Sequence, residues 1–213
     1  MTRADLTHLY FLLDRSGSMQ NIKTDTEGGF NAFVAEQRAA AGECRVTLAQ
    51  FDNDYEPVYA DKPIRDVPPL VLVPRGSTAL LDAIGRLVTD AGSALAALPE
   101  AERPGTVVVA IMTDGQENAS HEWDRPAVKA LVQQQSSDYG WQFLYMGADQ
   151  DAIEVGTSMG VGAEHSLTYA RGKVDRMMAV TSANVAEYRT RRSAGTRTPM
   201  AGFTDQQRQE STE

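Results

Sequence analysis

The sequence predicts an α/β fold in which a mostly parallel sheet is wrapped by helices on both faces. Three observations lead there. Two short runs, residues 9–13 and 106–112, are continuously apolar, as strands covered on both sides should be. Longer stretches with apolar residues at helical spacing lie between the strand-like runs. Two further runs are joined by the polar turn Asp52-Asn53-Asp54, which reads as an antiparallel hairpin at one sheet edge.

Taken in order, the first strand covers residues 9–13 and ends abruptly at Asp14. A helix follows through Phe30, Phe33, Val34 and Gln37; Gly28 and Gly29 should weaken its first half by about 1 kcal/mol each relative to alanine. Residues 44–51 and 56–60 are the hairpin strands, and residues 63–74 form a proline-rich loop with one extended piece at 70–73. The clearest helix runs through Leu80, Leu81, Ile84, Leu87, Val88, Ala91, Leu95 and Leu98. The apolar run 106–112 again leads to an acid, Asp114. A helix at 126–135 carries proline in its first turn, where the missing N–H costs little. A strand at 142–146, a helix at 151–159, a short strand at 165–169 and a last helix at 174–191 complete the pattern. One domain is expected over 1–192, and the polar stretch 193–213, with Met200 and Phe203 its only large apolar residues, is expected to be a flexible tail.

Composition bounds the function. The 213 residues suffice for one sizeable core, with 42% hydrophobic and 23% charged residues. A net charge of -9 repels phosphate backbones and favours cations, so nucleic acid is not an expected partner. The single cysteine, Cys44, allows no internal disulfide and suits a reducing compartment. The first apolar run is too short for a signal-peptide core or a membrane span, so a cytoplasmic location and no membrane partner are expected.

Chemistry collects in three loops. With right-handed crossovers, the C-terminal ends of parallel strands share one edge, where ligands bind in open α/β sheets. Asp14-Arg15-Ser16-Gly17-Ser18 leaves that edge after the first strand, and Thr113-Asp114-Gly115 leaves it after the run 106–112. Gly76-Ser77-Thr78 precedes the long helix. Together they offer carboxylates at Asp14 and Asp114 and hydroxyls at Ser16, Ser18 and Thr78. This is a hard oxygen set, suited to magnesium, manganese or calcium, with no imidazole or thiolate to favour zinc or copper. Two carboxylates only just neutralise a divalent cation, which stays electrophilic toward a further carboxylate.

In this order and spacing the residues resemble the metal-ion-dependent adhesion site of von Willebrand factor A domains, and the resemblance covers nearly everything but the tail. It implies a doubly wound, Rossmann-like, mostly parallel six-stranded sheet with one antiparallel edge strand. It also implies that Ser16 and Ser18 bind the metal directly, that Asp14 binds it directly or through water, and that Thr78 and Asp114 alternate between the two. An Asp or Glu of a partner protein would fill the remaining position, making the chain a protein-interaction module and not an enzyme. Asp-Arg-Ser-Gly-Ser-Met is similar to the intracellular, stand-alone members, which implies service in larger assemblies, including those with AAA+ ATPases.

Two other readings stay open. A metal-dependent hydrolase would need a base, and Glu117 and His121 lie in the loop after Asp114. A metal-independent scaffold would use Asp14 and Asp114 only as caps of turns and helices. The basic residues of the last helix (Arg171, Lys173, Arg176, Arg189, Arg191 and Arg192) form either a solvated face or a dock for an acidic partner. His8 and Cys44 are expected in structural roles, and Asp52, Asp54, Asp149 and Asp151 as contributors to a negative potential at the strand ends.

Overall fold

A computed structural model describes residues 2–213. Six strands form one sheet in the order β3-β2-β1-β4-β5-β6. They are β1 (Arg3–Asp14), β2 (Glu43–Phe51), β3 (Tyr55–Pro63), β4 (Pro104–Thr113), β5 (Gln142–Ala148) and β6 (Ser166–Tyr169). β3 runs antiparallel to β2; all other pairings are parallel. The strand order reverses between β1 and β4, which is where the two acids of the sequence pattern emerge.

Side chains alternate along β1. Leu9, Phe11 and Leu13 enter one core, Tyr10 and Leu12 the other. The first core is closed by α1 (Lys23–Ala39) and α5 (Val174–Ser193), and the second by α2 (Leu80–Ala97), α3 (Arg125–Tyr139) and α4 (Ala152–Ser158). This burial on both faces explains why the central strands read as unbroken apolar runs. Among the described residues, no helix is long and apolar enough to cross a membrane.

Two details sharpen the expectation. α1 runs without a break through Gly28 and Gly29. A Cβ at 29 would come within 2.8 Å of Met178 Cγ on α5, so the glycine that weakens the isolated helix permits its closest packing. The piece at 70–73 pairs with no strand; Leu70 and Leu72 are buried against the α1 core while Val71 and Val73 face out. Its N–H groups donate instead to side chains of α1, Leu70 to Asn31 and Leu72 to Glu27.

The expectation of a flexible tail over 193–213 is corrected. Met200 and Phe203 join the first core, and α6 (Asp205–Thr212) starts with a capping box from Thr204 and Gln207. Arg208 donates to the carbonyls of Ser166 and Ala163, and Arg176 pairs with Glu210. The segment lacks periodicity because two apolar anchors and a set of polar bonds hold it, without an apolar stripe.

Candidate metal centre

The central strands deliver the three loops to one edge. Asp14 is the last residue of β1 and lies beside Phe51 of β2 in register, while Leu13 lies beside Met112 of β4. The chain then turns through a 3-10 segment, Gly17–Ile22, seated by the buried Met19 and Ile22. The first two loops are zipped together by backbone bonds, Arg75 N to Arg15 O (2.8 Å) and Gly17 N to Gly76 O (3.2 Å). Gly76 has φ +69, and a Cβ there would overlap Asn53 Oδ1, which accepts from Ser77 N. Only glycine suits that turn.

The side chains of Asp14, Ser16, Ser18 and Asp114 form one chain of contacts. Asp14 is fully buried; its Oδ1 accepts from Ser16 N (2.6 Å) and its Oδ2 from Thr113 Oγ1 (2.5 Å). Ser16 Oγ and Ser18 Oγ are 3.0 Å apart, and Ser18 Oγ donates to Asp114 Oδ1 at 2.6 Å. Gly115 shows that Thr78 belongs to the same cluster. A Cβ at 115 would sit 2.9 Å from Thr78 Oγ1 and 3.7 Å from both Asp14 Oδ2 and Ser18 Oγ. One point thus lies among oxygens from all three loops. All five residues predicted from the sequence come together.

Burial strains the carboxylates. It pushes the Asp14 carboxyl up to about 6, against the bonds from Thr113 and Ser16, with the charge of Asp114 adding to the rise. Asp114 is also raised, first by burial, against Ser18 and Arg171. Asp114 Oδ2 is buried without a hydrogen bond, a costly state for an anionic oxygen. Its nearest cation is Arg171, whose Nε lies 3.5 Å away and whose Nη1 is 3.6 Å from Asp149.

These features fit a small, hard cation. The donor set is two carboxylates and three hydroxyls, and among the described residues no three of His, Cys, Asp and Glu converge. A soft or imidazole-rich site is therefore not built here.

Several supporting residues have no signal in the sequence. Arg15 lies buried behind the site, paired to Asp52 (3.0 Å) and Glu56 (2.5 Å), and Arg75 also pairs with Asp52 at 2.7 Å. Burial alone would raise the Asp52 carboxyl, but the Asp54 N–H and these arginines hold it below its ordinary value. Asp52 is thus a buttress of the loops, and Asp151 caps α4. Asn118 clamps Thr78 through two bonds, from Thr78 N to its Oδ1 and from its own N to Thr78 O.

The residues considered as hydrolytic bases have other positions. The Glu117 carboxylate accepts from the N–H groups of Leu81, Ala119 and Ser120 and from Ser120 Oγ, all within 2.9 Å. With four donors bound, both oxygens of this carboxylate are engaged in holding the loop and the start of α2. His121 is exposed, and its N–H donates to Asp82, which also holds Glu122 and Trp123. His8 is buried and stacked on Tyr10, with Nε2 at 2.9 Å from Thr47 Oγ1; burial lowers it to about 4. Cys44 is buried, and burial raises its thiol to about 11, so it is inert packing. His165 Nε2 meets Met200 O at 3.1 Å.

Comparison of the sequence with models of known protein families finds no match, and none is found among curated proteins. Solved structures do match. The vWF domain of the type V pili tip protein Mfa5 from Porphyromonas gingivalis superposes with a TM-score of 0.58 at 13% identity, over 93% of this chain and 98% of that one. Proximal thread matrix protein 1 from the mussel byssus gives 0.57 at 14% identity over 85% of this chain, and one of its structures has a zinc-occupied MIDAS motif (TM-score 0.56, 15% identity). The ArnB paralog VWA2 from Sulfolobus acidocaldarius gives 0.54 at 14% identity over 84% of this chain. The chain spans about half the length of the mussel and Sulfolobus chains. At these identities the likeness concerns the fold, and with the strand order and the single antiparallel edge it means that the chain has the von Willebrand factor A-type fold.

Proposed function

We propose that the chain is a divalent-metal-dependent protein-interaction module, with the ion held by Asp14, Ser16, Ser18, Thr78 and Asp114. The observation that carries this reading is the cluster of Asp14, Ser18 and Thr78 oxygens around one point, joined by Ser16 and Asp114 through Ser18, with Asp114 Oδ2 buried and without a hydrogen bond. A bound cation would supply Lewis acidity toward a carboxylate of the partner. Magnesium is the preferred ion because the donors are hard oxygens; manganese and calcium share that preference. A zinc-occupied MIDAS in a mussel matrix protein of the same fold supports a divalent ion in this position.

The chain's own residues prepare the site. Thr113 and Ser16 N orient Asp14, Asn118 holds Thr78 in place, and Arg15 with Asp52 fixes the loop that presents Ser16 and Ser18. A partner Asp or Glu would complete the coordination, and an uncharged side chain could not replace it at equal affinity. An AAA+ ATPase assembly is the partner class that the resemblance implies.

Calorimetric titration of chelator-stripped protein with magnesium, manganese or calcium tests the site. Saturable binding that Ser16→Ala with Ser18→Ala weakens at least about tenfold is expected, the equivalent of about 1.4 kcal/mol. Equal binding by that variant refutes the assignment of ligands. A metal-independent scaffold predicts no binding by either protein.

A further inference from the structure

The opposite end of the sheet carries a second feature, unrelated to the metal edge. There a groove of about 690 Å³ opens between the C-terminal halves of α2 and α3. Its volume lies within the range that small-molecule sites occupy. The floor is Val107 of β4 and Trp141, and the walls include Gly92 and Ala96 of α2 and Leu131 and Tyr139 of α3. Trp141 is held rigid by stacking on Tyr10 and Phe143, at centroid distances of 6.1 and 6.3 Å. Tyr139 stands two-thirds exposed at the rim. Small residues on α2 keep the groove open where larger ones would close it.

Its charge runs against that of the molecule. In a chain of net charge -9, the lining contains Arg103, Arg192 and Arg197 and neither aspartate nor glutamate. Two of these guanidiniums are fixed by neutral oxygens. Arg103 donates to the carbonyls of Leu98 and Ala96, and Arg192 to Gly105 O and Thr106 Oγ1. Their positions are preorganised, while among the described residues no carboxylate pairs with their charge, which favours an anion at low ordering cost. The basic end of α5 is thereby divided. Arg189 is buried on Gln37 and Gly42, Arg191 pairs with Glu187, and Arg192 faces the groove.

We propose that this groove binds a small amphipathic carboxylic acid, its apolar body on Trp141, Val107 and Leu131 and its carboxylate on the arginine rim. The apolar floor has no charged group to pair with a polar body, and three cations repel an ammonium head. Because Val107 in the groove and Thr113 at the metal edge lie at opposite ends of β4, at about 3.3 Å per residue along the strand, the two sites cannot share one small ligand.

Calorimetry with decanoate, decanol and decylamine tests this, with chelator throughout so that no metal can capture the carboxylate. Decanoate is expected to bind at least about tenfold more tightly than either analogue. Arg197→Gln should weaken decanoate severalfold and leave decanol unchanged, since the side chain is exposed and its loss disturbs no core. Gly92→Leu should abolish binding of both by filling the groove, and it improves helix propensity, so a folded variant is expected. Decylamine binding as tightly as decanoate, or Gly92→Leu binding decanoate like wild type, overturns the proposal. So does the absence of decanoate binding at about 1 mM, the limit of a site worth about 4 kcal/mol.

Discussion

Replacing Asp14 with asparagine should stabilise the metal-free protein and abolish its response to metal. The side chain is fully buried, and burial lifts its carboxyl to about 6 from an ordinary value near 3.8. Each unit of such a shift is worth about 1.4 kcal/mol, so ionised Asp14 costs the fold about 3 kcal/mol at pH 7.5. Asparagine is isosteric, keeps Oδ1 to accept from Ser16 N, and can direct its amide toward Thr113 Oγ1. The lost charge-assisted bonds offset part of the relief, leaving a gain of about 1–2 kcal/mol. In a chain of this size that raises the melting temperature by about 2–8 °C.

The pH dependence has a definite sign. The folded protein holds this proton more tightly than the unfolded chain, so the Asp14 contribution to wild-type stability rises as pH falls through 6 toward 4, while buried His8 contributes the opposite trend in both proteins and cancels between them. The advantage of the variant therefore shrinks over the same window and should be small at pH 4.5. Saturating magnesium reverses the order at pH 7.5, because an ion binding only the folded state adds about 2.7 kcal/mol at a hundredfold excess over its dissociation constant. Thermal melts of both proteins, at pH 4.5 and 7.5 with chelator or magnesium, read all of this. A variant that melts below wild type in chelator at pH 7.5 would refute the reasoning, since it would show that ionised Asp14 favours the metal-free fold.

Other perturbations probe the remaining elements. Arg171→Gln removes a cation 3.5 Å from Asp114 and should tighten manganese binding severalfold in calorimetry; unchanged or weaker binding would mean that the guanidinium does not compete for that carboxylate. Glu117→Gln replaces an acceptor of four hydrogen bonds and should cost about 1–3 kcal/mol in denaturant unfolding, as a structural residue would. Phe203→Ala empties a place in the first core and should cost about 3–5 kcal/mol, where a loose tail would show no change. His121→Ala should leave ester and phosphoester turnover at the buffer background in both proteins, and a wild-type rate that the substitution removes would support hydrolysis.

The fold class was legible because burial on both faces leaves a direct mark on composition. Strands such as 9–13 and 106–112 have no polar face to show, so their apolar runs announce a covered sheet, and α2 shows its buried stripe at every turn. The oxygen donors were legible for a related reason. Loops that leave neighbouring parallel strands must share an edge, so Asp14 and Asp114 are predicted to be close without coordinates, and Thr78 joins them through the family pattern. What supports those donors was not legible. Arg15, Asp52 and Asn118 act through partners 37 and 40 residues away in sequence, and no local pattern distinguishes them from surface residues.

The tail and the groove depended on tertiary structure alone. Phe203 and Met200 are isolated apolar residues in a polar stretch, and a single anchor carries no periodicity; only the gap beside β6 and α5 makes them core. Arg103 lies far along the chain from Arg192 and Arg197, and their convergence over Trp141 arises because β4 and β5 begin where α5 ends. By itself the sequence determined the sheet, its helical cover and the edge where oxygen donors gather, because those follow from patterns that repeat at the period of a strand or a helix. Long-range packing decided which charges are buried, which are paired and which are left to meet a ligand, because such partners are chosen by distance in space and not by spacing along the chain.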